Sequence, residues 1–407
     1  MRERWFLMAV LASIGWAQGG SNYSVIGVGD VRPSVGAFYD GAASLAVALP
    51  SEHAISTVNP ALWSFARGTF LQGGYRFHQQ RITGNAGTRA QNNGKVEGVL
   101  LVFAPDTARG WSASLGFYPL SSVNAAVSLP LGIHAAEDTL SGHYTVVSSG
   151  GISVFHLGLA VRPLPVLGLG AALRYHFGLF RTDRIVALYD QWSAPDTLSI
   201  TDWLTGIGFV LGAWYRPAPG WLIGVAFSTP ARIATQQEWR YSFGHTYGDT
   251  TLARQLSWQL PALIAAGVSY QRGRTAVAVE FGFSDFSQLG YRQALQAVFQ
   301  PLYRLSASVL RIARSSGRTY WEQLGLAAGV SWQRLYYRVN GHSIAEMAAA
   351  LGVGFPLGRS ALFEVACQTG IRGRAASNLV REWFGRFTFS LSLRDQWFIP
   401  GRQGSER

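Results

Sequence analysis

The sequence predicts an all-β protein, a transmembrane antiparallel β-barrel of about fourteen strands with an N-terminal plug in its lumen. From Thr69 to Phe398 the chain repeats segments of about ten residues in which apolar residues alternate with glycine, small or polar ones, as strands do when lipid lies on one face and a lumen on the other. Tight Pro/Gly/Arg turns close these segments at every second junction, and longer polar breaks close the others. No run beyond the N-terminus approaches the roughly 18 to 20 apolar residues of a membrane helix, although 48% of the chain is hydrophobic. Strands closed into a barrel are then the remaining way to satisfy every backbone group in hydrocarbon.

The alternation is explicit in Leu167 to Leu179. One face carries Leu167, Leu169, Ala171, Leu173, Tyr175, Phe177 and Leu179; the other carries Gly168, Gly170, Ala172, Arg174, His176 and Gly178. Successive strand side chains point to opposite faces, so the two sets meet different solvents. Trp111–Phe117, Phe155–Val161, Ile207–Tyr215, Trp258–Tyr270, Val277–Phe283, Leu324–Trp332 and Phe387–Leu393 read the same way. A soluble β-sandwich also alternates, but its outward face is rich in Lys, Glu and Thr, whereas here that face would be Gly and Ala.

Along the chain, residues 1–17 read as a secretory signal: Arg2 and Arg4, the apolar stretch Trp5–Trp16, and small Gly15 and Ala17 at cleavage positions. Residues 18–68 show little alternation and are rich in Gly, Ala and Ser, compact enough to fold inside a wide barrel. The barrel proper is expected over residues 69–398, with 399–407 as a tail. Compact turns fall at Pro105–Gly110, Pro163–Val166, Pro217–Gly220, Gln271–Arg274, Gln333–Leu335 and Leu357–Ser360. Longer loops fall at Gly84–Gly94, Pro130–Ser141, Thr182–Thr201, Gly244–Leu252, Ser287–Tyr320, Gly341–Ser343 and Gly373–Val380. Short turns at one end and loops at the other is the asymmetry of bacterial outer-membrane barrels. It places Ala108 and Ala218 in the periplasm and Ala90, Thr250 and Ser316 outside. Within Ser287–Tyr320, Gln293–Phe299 and Leu302–Ile312 are expected as short helices of a lid, groove or docking site.

The formal charge of +12 would suggest nucleic acid in a soluble protein. Here the arginines are scattered over turns, loops and lumen positions with no basic stripe, so outer-membrane lipid at the loop ends, or simple solvation of the loops, accounts for them, and nucleic acid is not an expected partner. Lys95 is the only lysine and reads as compositional bias; Cys367, the only cysteine, lies on the lipid-facing register. The chain lacks a Gly-x-Ser-x-Gly elbow, a His-Glu-x-x-His pair and a phosphate-binding Gly-x-x-x-x-Gly-Lys loop, and its histidines are dispersed. No enzyme activity, cofactor or metal is expected.

The segment Gly36-Ala37-Phe38-Tyr39-Asp40-Gly41-Ala42-Ala43-Ser44-Leu45-Ala46, followed by Asn59-Pro60-Ala61-Leu62, resembles the plug, or hatch, of the FadL-type family of outer-membrane transporters for hydrophobic compounds. Gln259-Leu260-Pro261-Ala262 leading into Ala266–Tyr270 is a further match, as is the closing Trp383–Phe398, whose aromatic end resembles the signal read by the outer-membrane assembly machinery. The tail Ile399–Arg407 departs from the commonest form, in which the aromatic is the last residue. The resemblance implies a fourteen-stranded monomer that takes up long-chain fatty acids or aromatic hydrocarbons passively. It further implies a hatch motif at Asn59, Pro60 and Ala61, hatch movement, and lateral exit through a kinked third strand. An alternative is a non-transporting scaffold, or a secretion-associated shuttle barrel of the same fold.

Two groups of residues could carry transport. Pro119 stands in the third expected strand, Trp111–Leu129, where proline cannot donate to the ladder. Pro119 with Gly116 marks either a sideways opening or the point where the strand leaves the bilayer. Pro230 and Pro261 are expected to be bulges that shape the lumen. The lumen register collects Arg76, His78, His156, Arg162, Arg174, His176, Glu280, Glu346, Glu364 and Arg386. These form either a polar network that holds the plug or a ligand site, with Arg174 the first candidate for a bidentate contact to a carboxylate.

Overall fold

The computed structural model describes residues 20–85, 87–135, 138–189, 195–243, 250–292, 297–313, 319–358, 360–377 and 379–395. The expected signal segment 1–17, the tail 399–407, the aromatic pair Trp397 and Phe398, and Ser316 lie outside them.

Fourteen antiparallel strands close on themselves. In chain order they are β1 (Thr69–Gly84), β2 (Gly87–Asp106), β3 (Trp111–Pro119, continuing as Ser121–Ala135), β4 (Asp138–Leu164), β5 (Leu167–Leu188) and β6 (Asp196–Tyr215). Next come β7 (Trp221–Ser228 and Ala231–Ser242), β8 (Thr250–Leu260 and Leu263–Arg272), β9 (Thr275–Asp285) and β10 (Ala297–Phe299 and Pro301–Arg311). The last four are β11 (Gly325–Val339), β12 (His342–Pro356), β13 (Ala361–Gly373) and β14 (Arg381–Asp395). Pairing of Arg381–Asp395 with Thr69–Thr83 closes the barrel. The sheet thus has no first or last edge to leave unpaired in hydrocarbon.

The predicted two-residue period sets the two faces. Outward side chains such as Leu157 (52% exposed), Ile207 (58%), Phe209 (53%) and Val279 (52%) form an apolar belt, while their inward neighbours His156, Arg174 and Glu280 are buried. A belt of that extent is untenable in water and is what hydrocarbon requires. No helix among the described residues is long and apolar enough to cross a membrane. The protein is an outer-membrane β-barrel.

The strand count stands, but two of the expected boundaries cancel. Gln333–Leu335 is not a turn; it lies inside β11, where the ladder to β12 slips between Arg334 and Arg338. The expected helix Leu302–Ile312 is instead β10, paired with β9 and β11, and the described end of Gln293–Phe299, Ala297–Phe299, is also strand. The connection between β10 and β11 therefore returns at the end that holds the compact turns. Arg274, in the β8–β9 turn, donates to the Glu322 carbonyl at 2.6 Å. Several loops are also shorter than expected, because hairpins such as β1–β2 and β3–β4 continue as ladders past the bilayer.

Residues 20–68 run through the lumen as an irregular segment with a short helix α1 (Ala37–Gly41) and 3-10 turns at Asn22–Val25 and Pro60–Phe65. They bond to inward side chains on opposite sides of the wall: Gln72 and Arg76 on β1, Ser269 on β8, Glu280 on β9 and Gln368 on β13. The glycines of the lumen face follow from this. A Cβ at Gly212 would stand 2.0 Å from the Asn59 side-chain oxygen, and one at Gly224 would stand 2.2 Å from the Val47 carbonyl oxygen. The plug backbone lies directly on the wall, leaving no room for side chains between them.

Candidate functional site

Asn59 joins the plug to itself and to the wall. Its Oδ1 accepts from the Ala61 N–H at 3.0 Å, capping the 3-10 turn that Pro60 opens. Its Nδ2 donates to the Val47 carbonyl at 2.7 Å and to the Ala213 carbonyl on β6 at 3.2 Å. Ala61 is fully buried, and its carbonyl accepts from Trp214 Nε1 at 3.1 Å.

The lumen charges are mostly paired with each other or with the plug. Arg76 meets Asp40 of α1, and also Glu97 at 3.0 Å. Glu280 accepts from the Ala46 and Val47 N–H groups at 2.7 and 2.8 Å and from Arg304 at 2.8 Å. Glu346 binds Arg372 at 2.6 Å and Arg386 at 2.8 Å. Arg174 donates to the Thr57 carbonyl of the plug and to Ser228 Oγ at 2.9 Å, with its Nε buried and unpartnered. His156 pairs with Ser114 at 2.8 Å, and Arg162 donates to the Ser64 carbonyl at 2.7 Å. His176 keeps a buried, unpartnered Nδ1, His78 a buried, unpartnered Nε2, and Glu364 a buried, unpartnered Oε2.

The wall is interrupted at the third strand. Below Pro119, β3 pairs on both sides: Trp111–Phe117 with β2 and Ser112–Pro119 with β4. Above it, Val123–Ala135 pairs with β4, and among the described residues the opposite edge of Ser121–Ala135 forms ladder pairs only with Asp30 and Val31 of the plug segment, at Ser122 and Ser121, while the Asn124 N–H donates to Ser24 Oγ at 3.2 Å. Residues 87–98 of β2 pair with β1 and with no strand on their other edge. The parity of the buried side chains shows why. On β3 the inward set is Ser112, Ser114 and Tyr118 below the break but Ser121, Val123 and Ala125 above it, so one residue is inserted at Leu120. On β2 the inward set shifts likewise from Val102 and Leu100 to Glu97 across Gly98. Gly116 lies in the paired part, below the break.

A short stretch of the plug bridges the two edges. Asp30 and Val31 form ladder pairs with the β3 edge, and the Arg32 N–H donates to the Leu120 carbonyl at 2.8 Å. The Arg32 guanidinium binds Glu97 on β2, while Asp30 is held from behind by Arg372 of β13 at 2.7 Å. Residues 30–32 thus form a clasp across the opening.

Two cavities flank the clasp. One of about 100 Å³ is apolar in most of its lining, with Val28, Leu120, Ile152, Leu263, Phe286 and Leu302 beside Arg174 and Arg304. The other, of about 80 Å³, is polar and includes Asp30, Lys95, Ser122, Arg372 and Arg386. Val31, Arg32 and Pro33 border both. The interruptions at Thr229 and Pro261 border the apolar one as well. Toward the loops, the lumen is filled by an apolar cluster in which Tyr23 and Ile26 of the plug meet Phe286, Leu289 and Tyr291 of the β9–β10 loop. Tyr291 stacks on Trp258 and Phe286 on Tyr336, each pair with ring centres 4.4 Å apart.

A family model described as BamG matches residues 3–402. The chain belongs to the BamG family. No curated protein matches it. Among solved structures, this BamG-family chain is similar to a Pseudomonas aeruginosa FadL homologue at 12% identity and a TM-score of 0.63, covering 91% of this chain and 100% of that one. It is similar to the CymD monoaromatic hydrocarbon channel at 13% identity and a TM-score of 0.61, covering 90% and 99%. It is also similar to the Ralstonia pickettii toluene transporter TbuX at 13% identity and a TM-score of 0.57, covering 89% and 98%. At these identities the likeness shows the fold, a FadL-type outer-membrane barrel.

In this BamG-family barrel, sequence reasoning missed Asp30, Arg32, Asp40, Glu97, Arg304 and Arg372. Arg304 sits on an inward register of β10, legible once β10 was read as a strand, and Arg372 sits on an inward register of β13. Lys95, read as compositional bias, lies at the opening with its Nζ 3.5 Å from the Gly150 carbonyl.

Proposed function

We propose that the barrel is an outer-membrane channel for passive entry of small hydrophobic molecules, with residues 18–68 acting as its hatch and the break above Pro119 as a lateral exit. The observation that carries this reading is an apolar cavity beside two strand edges that no ladder joins, bridged by the Asp30–Arg32 clasp with the Lys95 Nζ near the Gly150 carbonyl. The outward side chains change there from Leu115 and Phe117 to Asn124 and Ser128, which sets the exit at the level of the outer-leaflet headgroups. The similar structures described as hydrocarbon channels and a toluene transporter support the same substrate class. A cavity of about 100 Å³ holds a short alkyl segment, and a ring enters only as the clasp or the β9–β10 loop gives way. A cavity of roughly 150 Å³ lined by Leu, Ile and Phe holds benzene. A whole long-chain fatty acid needs the clasp and the β9–β10 loop to move. Arg174, at the cavity edge with a free Nε, is the group placed to meet a ligand carboxylate.

The test is a cross-link. Asn93→Cys on β2 and Ser122→Cys on β3, both lining the polar cavity, are joined by a reducible reagent in a Cys367→Ala background. Uptake of labelled toluene, or of a short alkylbenzene, by a strain without its own transporter should stop on cross-linking and return on reduction. Uptake that continues through the cross-linked barrel removes the lateral route.

A second reading, a non-transporting scaffold, is favoured by the aromatic seal toward the loops and by the plug's many bonds to the wall. It predicts no uptake of any hydrophobic probe by the unmodified protein.

A further inference from the structure

The stretch of plug that carries the clasp also packs under the outer seal. Ile26 to Gly29 is a tight turn, closed by the Gly29 N–H on the Ile26 carbonyl at 3.1 Å, with Gly27 and Gly29 at φ +58° and +85°. Glycine takes these angles without strain, and at Gly27 there is no room for more: a Cβ would stand 3.0–3.1 Å from the side chains of Tyr336, Leu289 and Phe299. The carbonyls of Ile26 and Gly29 share the Tyr336 hydroxyl as donor, at 2.8 and 2.7 Å. The Gly27 N–H donates to the Arg292 carbonyl at 3.1 Å. Asp30, the first residue of the clasp, follows Gly29 directly.

Arg292 belongs to the β9–β10 loop, whose residues Phe286–Arg292 close the lumen toward the outside. The loop is anchored to the far wall through two side chains. Tyr291 donates to the Asp202 carboxylate of β6 at 2.6 Å and stacks on Trp258 of β8. The Arg292 guanidinium stands 4.6 Å over the Phe180 ring of β5, with its Nη2 3.3 Å from Thr182 Oγ1. On the near side Phe286 stacks on Tyr336, the side chain that holds the turn. Ile26 and Val28 of the turn are buried in one cluster with Phe286 and Leu289 of the loop. The loop therefore cannot lift without breaking the Gly27 bond and uncovering the residues that lead into Asp30.

We propose that the β9–β10 loop and the Asp30–Arg32 clasp are one gate, in which lifting the loop weakens the clasp and parting the clasp loosens the loop. Its use in transport rests on the lateral exit proposed above; its geometry does not. Phe286, Val28 and Val31 all line the apolar cavity, so a ligand that displaces Phe286 on entry weakens the barrier it must pass next. Coupling between two sites is reciprocal, and the factor is the same in both directions.

The test is pulsed dipolar spectroscopy on the full-length barrel in detergent, without ligand and in a Cys367→Ala background, with heat modifiability confirming that each variant is folded. One spin pair, at Ala90→Cys and Ser128→Cys, spans the break; a second, at the exposed Gln288→Cys and Gln255→Cys, spans the loop. Tyr291→Phe keeps the stack on Trp258 but takes the hydroxyl donor from Asp202, and Arg292→Gln removes the cation from Phe180. Loss of a charge-assisted bond shifts the loop about tenfold toward open, and the open fraction of the break should rise in the same variants. Arg32→Met, a change in the clasp, should in turn lengthen the loop distances. Break distances that match the parent in both loop variants, or loop distances that match it in Arg32→Met, overturn the proposal. The coupling is read without any cargo, so a barrel that takes up nothing can still show it, and its failure is distinct from failure of the cross-linked uptake.

Discussion

The clasp makes a quantitative prediction. Across the break, β2 and β3 are joined by two ladder residues, Asp30 and Val31, and by one ion pair, Arg32 with Glu97. Arg32→Met keeps the stem and removes the guanidinium. The side chains of this pair are 9% and 1% exposed, so solvent screening is slight, and two charges about 4 Å apart interact by about 4 kcal/mol at an effective dielectric constant of 20. That is an upper bound, because Glu97 keeps Arg76 at 3.0 Å and Arg32 no longer has to be desolvated. A charge-assisted hydrogen bond is worth about 1.5–3 kcal/mol net. With tenfold per 1.4 kcal/mol, the ratio of open to clasped barrels should rise about ten- to a hundredfold. Spin labels at Ala90→Cys and Ser128→Cys, outward positions on the two edges, in a Cys367→Ala background would report this by pulsed dipolar spectroscopy as a new, longer distance. Glu97→Gln should open the edges further, because it removes the carboxylate from two arginines at once. Distance distributions in Arg32→Met that match those of the parent would refute the idea that this ion pair holds the wall.

Two further outcomes follow from the same geometry. Asn59→Ala removes a cap and two bonds from the side-chain amide to carbonyls, at a cost of about 2–3 kcal/mol; planar-bilayer recordings should show more frequent conductance steps as the plug loosens, with the barrel still heat-modifiable. For topology, cysteines at Ala90 and Thr250 should react with a membrane-impermeant reagent on intact cells, whereas those at Ala108, Ala218 and Trp321 should not; labelling of Trp321→Cys would restore β10 to the outer loop.

What was legible in the sequence was whatever a two-residue period or a single residue's geometry enforces. The belt, the strand count and the interruption at Pro119 belong to that class, since proline leaves a ladder position empty wherever it falls. β10 was not legible because Leu302, Leu305, Val309 and Ile312 fit helical spacing, whereas its outward alternation is only Leu305, Ala307 and Val309, and its inward Ser306 and Ser308 are too small to settle the period. Gln333–Leu335 looked like a turn because a bulge brings polar residues together without reversing the chain. The clasp was hidden for two reasons. Asp30, Arg32 and Asp40 lie in a segment with no period, and Glu97 lies past the Gly98 shift, where counting from the periplasmic end of β2 assigns it to lipid. Both reasons have the same physical origin. A regular ladder repeats its environment and so writes a pattern, whereas an opening exists only where the ladder fails on both strands at once. The residues that span it are chosen by their contacts across the gap, Arg32 to Glu97 and Val31 to Ser121, and such contacts join positions far apart in the chain. On the proposed lateral route, the part of the barrel with most bearing on transport is therefore the part in which its sequence carries no local pattern.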